Sequence, residues 1–292
     1  MTKVFNSDKY CDTTVAYDTT RKATHVADSL RRAPVANIEL VEPEPVSLDD
    51  LSLILDNDYF NSLTTGLPSY LASSNGIGWD DALLTSVLYS SSGVVRAVEH
   101  ALDSGTNSGS LSSGLHHARF NEGSGFCTVN GLVLGARAAF ASGARRVLCL
   151  DLDAHAGGGT ASYIERGFDG VFEQLDVSLI PFDTYTNVKD ATLIMSSSST
   201  YIADIERALS DVTAPRSIDV ILYNAGMDPH ERAGGVKGVT TETLAKREEL
   251  VFSWAKLHDV PVAWVLAGGY STHMTIEELA GLHRLTAEAA CF

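Results

Sequence analysis

The strongest constraint on the fold is a recurrence. Short apolar runs rich in β-branched residues alternate with longer stretches of helical periodicity. The runs are Asn37 to Val41, Val147 to Asp153, Val171 to Leu179, Val220 to Tyr223 and Val262 to Leu266. Helical patterns occupy Ala82 to Leu102, Leu132 to Ala141, Tyr201 to Leu209 and Thr240 to His258. Strands apolar at nearly every position are buried on both faces, and intervening helices supply the cover. The pattern therefore predicts an α/β fold with one doubly wound, mostly parallel sheet flanked by helices. Thr240 or Thr241 reads as the N-cap of the last helical pattern, and Pro261 marks the start of the strand after it. The polar stretches Asp103 to Gly114 and Ser196 to Thr200 read as surface loops. No repeat, charge block or linker divides the chain, so residues 1–292 are expected to form a single domain.

Open parallel sheets bind ligands beyond the carboxyl ends of their strands. There the chain reads CLDLDAHAGGGT over residues 149–160. Strand side chains alternate with period two, which places Asp151, Asp153 and His155 on one side. Carboxylates buried in such a setting are costly unless a cation or a set of donors satisfies them. Two other strand ends bring Asp228, in NAGMDPH, and Tyr270, in AGGYS. LHHARFNEGSGF places His116 and His117 in a glycine-rich loop. Asp153, His155 and Asp228 form an oxygen and nitrogen donor set suited to zinc or another divalent first-row metal, with room left for water and a carbonyl. Such a metal lowers the pKa of its water and polarises a carbonyl. His116, His117 and Tyr270 are the residue types needed to shuttle a proton and to stabilise an oxyanion. Each segment alone has an ordinary reading, as a strand end, a satisfied histidine pair, a turn or a packed aromatic. Their joint order carries the inference.

The balance of 37 acidic to 21 basic residues gives a formal charge of −16. That excludes nucleic acid as the expected partner, because phosphate binding needs clustered Lys and Arg. Cationic molecules would be attracted instead, although such a charge also serves solubility. The four cysteines, Cys11, Cys127, Cys149 and Cys291, show no Cys-x-x-Cys spacing. Neither a disulfide framework nor a thiolate zinc site is expected, and Cys149 reads as a small core residue. No signal-peptide segment or membrane-length apolar run is present, so a cytoplasmic location without membrane attachment is the expectation.

The segments LHHARFNEGSGFCTVNG, LDLDAHAGGGT, NAGMDPHERAGGVKGVT and LAGGYS, in this order, resemble the histone deacetylase superfamily of zinc amidohydrolases. That superfamily has the arginase-like α/β fold and includes acetylpolyamine amidohydrolases. The resemblance runs from about Trp79 to about Tyr270, with little recognisable before Trp79. It implies a deacetylase-like enzyme acting on an acylated lysine or an acetylated polyamine-like amine. It implies one Zn2+ per chain, held by Asp153, His155 and Asp228. His117 would be the general base toward the zinc-bound water, and it or His116 would protonate the leaving amine. Tyr270 would donate to the developing oxyanion, and Asp151 would hold His116 in one tautomer. A structural K+ or Na+ would lie at Asp151, with the backbone carbonyls of Asp153 and His155 and with Ser178 and Leu179. Gly125 and Phe126 would line the channel for the acyl-amine chain.

Two positions depart from the family pattern Asp-x-Asp-x-His-His-Gly-Asn or Asp. Ala156 stands where the second histidine is usual, and Gly158 where the residue that orients His117 is usual. His117 is then left with a shifted pKa, a looser geometry or a partner from elsewhere. A metal-holding binding or regulatory protein without catalysis is therefore the main alternative function. An arginase-like ureohydrolase is less favoured, because its second metal needs carboxylates where this chain has Gly157, Pro229 and His230. His230, His258, His273 and His283 lie outside the metal positions. Trp254 and Trp264 read as core, and Asp176 as a polar strand end.

Overall fold

The computed structural model describes residues 1–12 and 18–291. Eight strands form one sheet: β1 (Thr2–Phe5), β2 (Ile38–Val41), β3 (Ser108–Ser113), β4 (Arg146–Asp151), β5 (Val171–Ser178), β6 (Ala191–Met195), β7 (Val220–Ala225) and β8 (Val262–Leu266). Their order is β2-β1-β3-β8-β7-β4-β5-β6, with every neighbouring pair parallel. The first five α-helices are α1 (Asp18–Arg32), α2 (Leu48–Ser52), α3 (Asn57–Thr65), α4 (Ser69–Ala72) and α5 (Asp81–Ser104). The next five are α6 (Gly131–Ala141), α7 (Gly158–Ile164), α8 (Tyr201–Ser210), α9 (Thr241–His258) and α10 (Ile276–Ala289). This is the doubly wound parallel sheet that the apolar runs predict.

The period-two alternation of the central strands divides the interior into two cores. Val147 and Cys149 of β4 enter one, with Val220, Leu222, Ala263 and Val265, under α5 and α6. Leu148 and Leu150 enter the other, with Ile221, Tyr223 and Trp264, under α1, α8, α9 and α10. Each fully buried side chain of this size contributes roughly 1.5–3 kcal/mol. Thr240, not Thr241, caps α9, in a reciprocal capping box with Thr243.

The stretch Asp103 to Gly114 is not a surface loop as expected. Its second half is β3, buried near the middle of the sheet between β1 and β8. Polarity misleads here because the residues are small and their hydroxyls are satisfied inside. Ser108 Oγ donates to Lys3 O at 2.9 Å, and Ser112 Oγ donates to Ser90 O at 2.8 Å. Buried polar groups paired in this way carry little penalty. The strand is also slim because the fully buried Trp264 lies across it, and a Cβ on Gly109 would come within 2.1 Å of the indole. Gly109→Val is expected to destabilise the fold by about 1–3 kcal/mol through overpacking. A denaturant midpoint equal to that of the parent protein would refute this account of β3.

Candidate active site

Five adjacent strands, β3, β8, β7, β4 and β5, deliver polar residues beyond their carboxyl ends. His116 and His117 follow β3, Asp153 and His155 follow β4, and Asp228 and Tyr270 follow β7 and β8. β4 stops at Asp151 and does not run on to Asp153. Beyond it the backbone folds onto its own carboxylates. The Asp153 amide donates to Asp151 Oδ1 at 3.2 Å, and the His155 amide donates to Asp153 Oδ1 at 3.0 Å. Strand alternation therefore accounts for Asp151, while a tight turn places Asp153 and His155.

One ligand atom from each of Asp153, His155 and Asp228 lies within 4.8 Å of the others. His155 Nδ1 is 3.1 Å from Asp153 Oδ1 and 3.0 Å from Asp228 Oδ2. Both carboxylates are buried. The backbone closes on them: the Ala154 amide reaches Asp228 Oδ1 at 2.9 Å, and the Gly268 amide reaches Asp153 Oδ2 at 2.6 Å. A Cβ on Gly268 would sit 2.0 Å from Asp228 Oδ2, so only glycine allows this approach. Burial lowers the His155 pKa, but its bonds to the two acids win and carry it up to about 11. Burial, and then the charge of Asp153, raise that of Asp228. Two buried acids that draw a proton this strongly onto their neighbour, with oxygen and nitrogen donors in reach of one ion, fit a divalent first-row metal.

Each tandem histidine has its own carboxylate. His116 Nδ1 is 2.7 Å from Asp151 Oδ2, and Asn224 Nδ2 holds the other Asp151 oxygen at 2.9 Å. His117 Nδ1 is 2.9 Å from Asp183 Oδ2, on the loop after β5. The Arg119 guanidinium pairs with the other Asp183 oxygen. Burial lowers the His116 pKa, but Asp151 and Asp153 outweigh it and push it up to about 10. In His117, burial and then the charge of His116 prevail over Asp183 and bring the pKa down to about 4.

Tyr270, Gly125 and Phe126 line a cavity of about 50 Å³ together with His116, His117 and the cluster residues Asp153 and His155. Burial raises the Tyr270 pKa, with Asp228 adding to the effect. Of the residues expected to hold a monovalent cation, Ser178 Oγ donates to Asp176 Oδ1 at 2.5 Å, and the Leu179 amide donates to Ala154 O at 2.9 Å. Asp176 is not at a strand end. It is buried within β5, opposite Asp151 in register. His283 is fully buried in α10, outside the cluster. A groove of about 870 Å³ at the opposite end of the sheet is larger, but it gathers none of these groups.

Four contributors were not singled out in the sequence. Asp183 lies five positions beyond the end of β5, where the rule of inspecting strand ends would have found it. Its neighbour Phe182 packs edge-on against His117, with ring centroids 4.9 Å apart. Lys22 of α1, almost fully buried, lines the same cavity and reaches Ser113 Oγ at 3.3 Å. Burial lowers its pKa to about 8, against the pull of Asp228 and Asp153. Arg247 of α9, also buried, donates to Leu152 O at 3.0 Å and Gly226 O at 2.6 Å, tying together the segments that carry Asp153 and Asp228.

With its pKa near 11, His155 holds a proton at neutral pH that a metal must displace. Zinc uptake is expected to release about one proton per ion, and affinity to fall as pH falls. Titration calorimetry in buffers of different ionisation enthalpy measures that proton. Asp228→Ala should lose the site, and an Asp228→Ala protein that takes up zinc as tightly as the parent would remove Asp228 from the ligand set.

Comparisons with known proteins bear on the family and the fold. The family model for the histone deacetylase domain matches residues 17–186, beginning well before Trp79 and ending before Asp228 and Tyr270. An uncharacterised protein of Picosynechococcus sp. is 30% identical over 86% of this chain and 86% of its own. Histone deacetylase 2 of Arabidopsis thaliana is 26% identical over 79% of this chain, which spans 63% of that protein's length. The crystal structure of an acetylpolyamine aminohydrolase from Burkholderia pseudomallei superposes with a TM-score of 0.79 at 15% identity, covering 99% of this chain and 98% of that one. This last likeness speaks for the arginase-deacetylase fold alone. The chain belongs to the histone deacetylase family, a family of deacetylase-type hydrolases.

Proposed function

We propose that this protein is a metal-dependent amidohydrolase that cleaves the acyl-amide bond of an acylated amine, an acyl-lysine or an acetylated polyamine-like molecule. One observation carries the reading: two adjacent histidines, each with its own carboxylate, share a cavity with Tyr270 and with Asp153 and His155, which form a donor cluster with the buried Asp228. The similarity to a plant histone deacetylase supports an acylated amine as the substrate class. The charge of −16 favours a cationic amine.

When bound at Asp153, His155 and Asp228, zinc supplies Lewis acidity and lowers the pKa of a water molecule. The protein's own groups divide the proton transfers. A pair of titratable groups whose environments push their pKa values apart assigns acid and base. His117, held down to about 4, is neutral at physiological pH and can take a proton from the attacking water. His116, bonded through Nδ1 to Asp151, whose charge favours its protonated form, is placed to give a proton to the leaving nitrogen. Tyr270 keeps its hydroxyl proton, as a donor to the carbonyl oxygen must while charge develops there. Phe126 would form an apolar wall for the chain of the substrate, and Phe182 packs behind His117 and His155.

The alternative of a metal holder without catalysis drew on the missing side chain at Gly158. The partner that His117 finds in Asp183 supports the catalytic reading instead.

The reading is tested by turnover of acetyl-lysine peptides, longer acyl-lysine peptides and acetylated di- and polyamines, with a hydroxamate chelator as control. Hydroxamate-sensitive hydrolysis of one class is expected, and a zinc-loaded protein silent on all of them would overturn it. Tyr270→Phe should lose about a hundredfold or more in kcat with zinc content unchanged. Unaltered turnover in that variant would take Tyr270 out of the mechanism.

A further inference from the structure

We infer that Asp183, and no side chain at position 158, is the residue that fixes the tautomer and aim of His117, and that Gly158 is required because Asp183 occupies the space a side chain there would fill. This rests on the amidohydrolase reading for its consequence in turnover, but its geometry stands independently of that reading.

Three observations converge on it. A Cβ on Gly158 would lie 2.3 Å from the backbone oxygen of Asp183 and 2.6 Å from its Oδ1. The loop therefore sits where the usual orienting residue would project. The Asp183 carboxylate is held on every side. Oδ2 lies 2.9 Å from His117 Nδ1 and accepts from the Gly159 amide at 3.1 Å, while Oδ1 is clamped by the Arg119 guanidinium. Arg119 also donates to His117 O at 3.2 Å, so one side chain braces both the acid and the histidine it orients. Finally, Asp183 adopts a left-handed backbone, φ 56°, a conformation that aspartate enters more readily than most residues with a Cβ.

The chemical consequence follows from the tautomer. With an ionised acceptor at Nδ1, the imidazole carries its proton on Nδ1 and leaves the Nε2 lone pair free. In the proposed hydrolysis Nε2 takes the proton of water, Nδ1 keeps its own, and Asp183 remains a carboxylate beside the imidazolium. Asp183 is thus a positioning residue that acts through His117.

The test uses Asp183→Asn, which keeps the shape but can turn an amide N–H toward Nδ1 and so favour the opposite tautomer. In 15N-histidine NMR of the full chain, with His117→Ala to assign the signal, the parent should show His117 protonated at Nδ1. Asp183→Asn should lose or invert that state. In turnover, Asp183→Asn should lower kcat roughly 10–100-fold, with KM within about twofold and zinc content unchanged. Gly158→Asn should displace the loop and lower kcat. The inference is overturned if Asp183→Asn leaves both the His117 tautomer and kcat as in the parent, or if Gly158→Asn matches or exceeds parental kcat. Should the parent hydrolyse none of the acyl-amides, the activity reading fails alone. The NMR comparison then decides the positioning role: a changed tautomer upholds it, and an unchanged one overturns it.

Discussion

Four aspartates, Asp151, Asp153, Asp176 and Asp228, are buried at or near the carboxyl ends of three adjoining strands, and the rest of the site answers to the cost of keeping their charge out of water. An ionised carboxylate in an apolar interior is tolerated only when paired and hydrogen-bonded. The chain meets that demand in three ways. Backbone amides of Ala154, Gly157 and Gly268 turn inward to donate to Asp228, Asp176 and Asp153. His116 and His155 are drawn toward their cationic forms by the acids beside them. Asp176 takes the third course: burial, and then the charge of Asp151, raise its carboxyl well above the ordinary range and so favour its neutral form.

The same demand reaches into the scaffold. Inward-turned amides require irregular backbone beyond β4 and β7, and irregular backbone leaves carbonyls that need donors of their own. Arg247 supplies them at Leu152 and Gly226, and its charge is balanced by the adjacent Glu248, itself bonded by the Tyr223 hydroxyl at 3.0 Å. A buried ion pair of this kind is weak evidence for net stability, but losing one partner typically costs about 3–5 kcal/mol. The helix α9 is therefore more than a cover for the sheet, since its buried arginine ties together the two segments that carry Asp153 and Asp228.

The features legible in the sequence follow from this division of labour. Strands buried on both faces must be apolar throughout, and β4, β5, β7 and β8 announce themselves for that reason. Residues beyond those strand ends were legible because a parallel sheet concentrates its chemistry there. β3 was not legible, because the bulk of Trp264 on one strand demands near absence of side chain on the next, and a run of serines and glycine reads as exposed. Lys22 was not legible either. A lone lysine on an N-terminal helix looks solvent-facing until α1 is known to pack beside the site.

The tandem histidines show how a departure from a family's pattern can leave a histidine with a carboxylate partner. An imidazole needs a hydrogen-bond acceptor at Nδ1, and the physics does not specify which segment of chain provides it. His116 takes its acceptor from Asp151, at the rigid end of a central strand, whereas His117 takes its own from Asp183, on a loop. That loop also carries Phe182, whose ring packs edge-on against both His117 and His155. One short segment therefore packs against two of the site's histidines and holds the acceptor of His117. The same backbone thus sets both the packing of Phe182 on the histidines and the acceptor of His117, so a shift of this segment moves the two together.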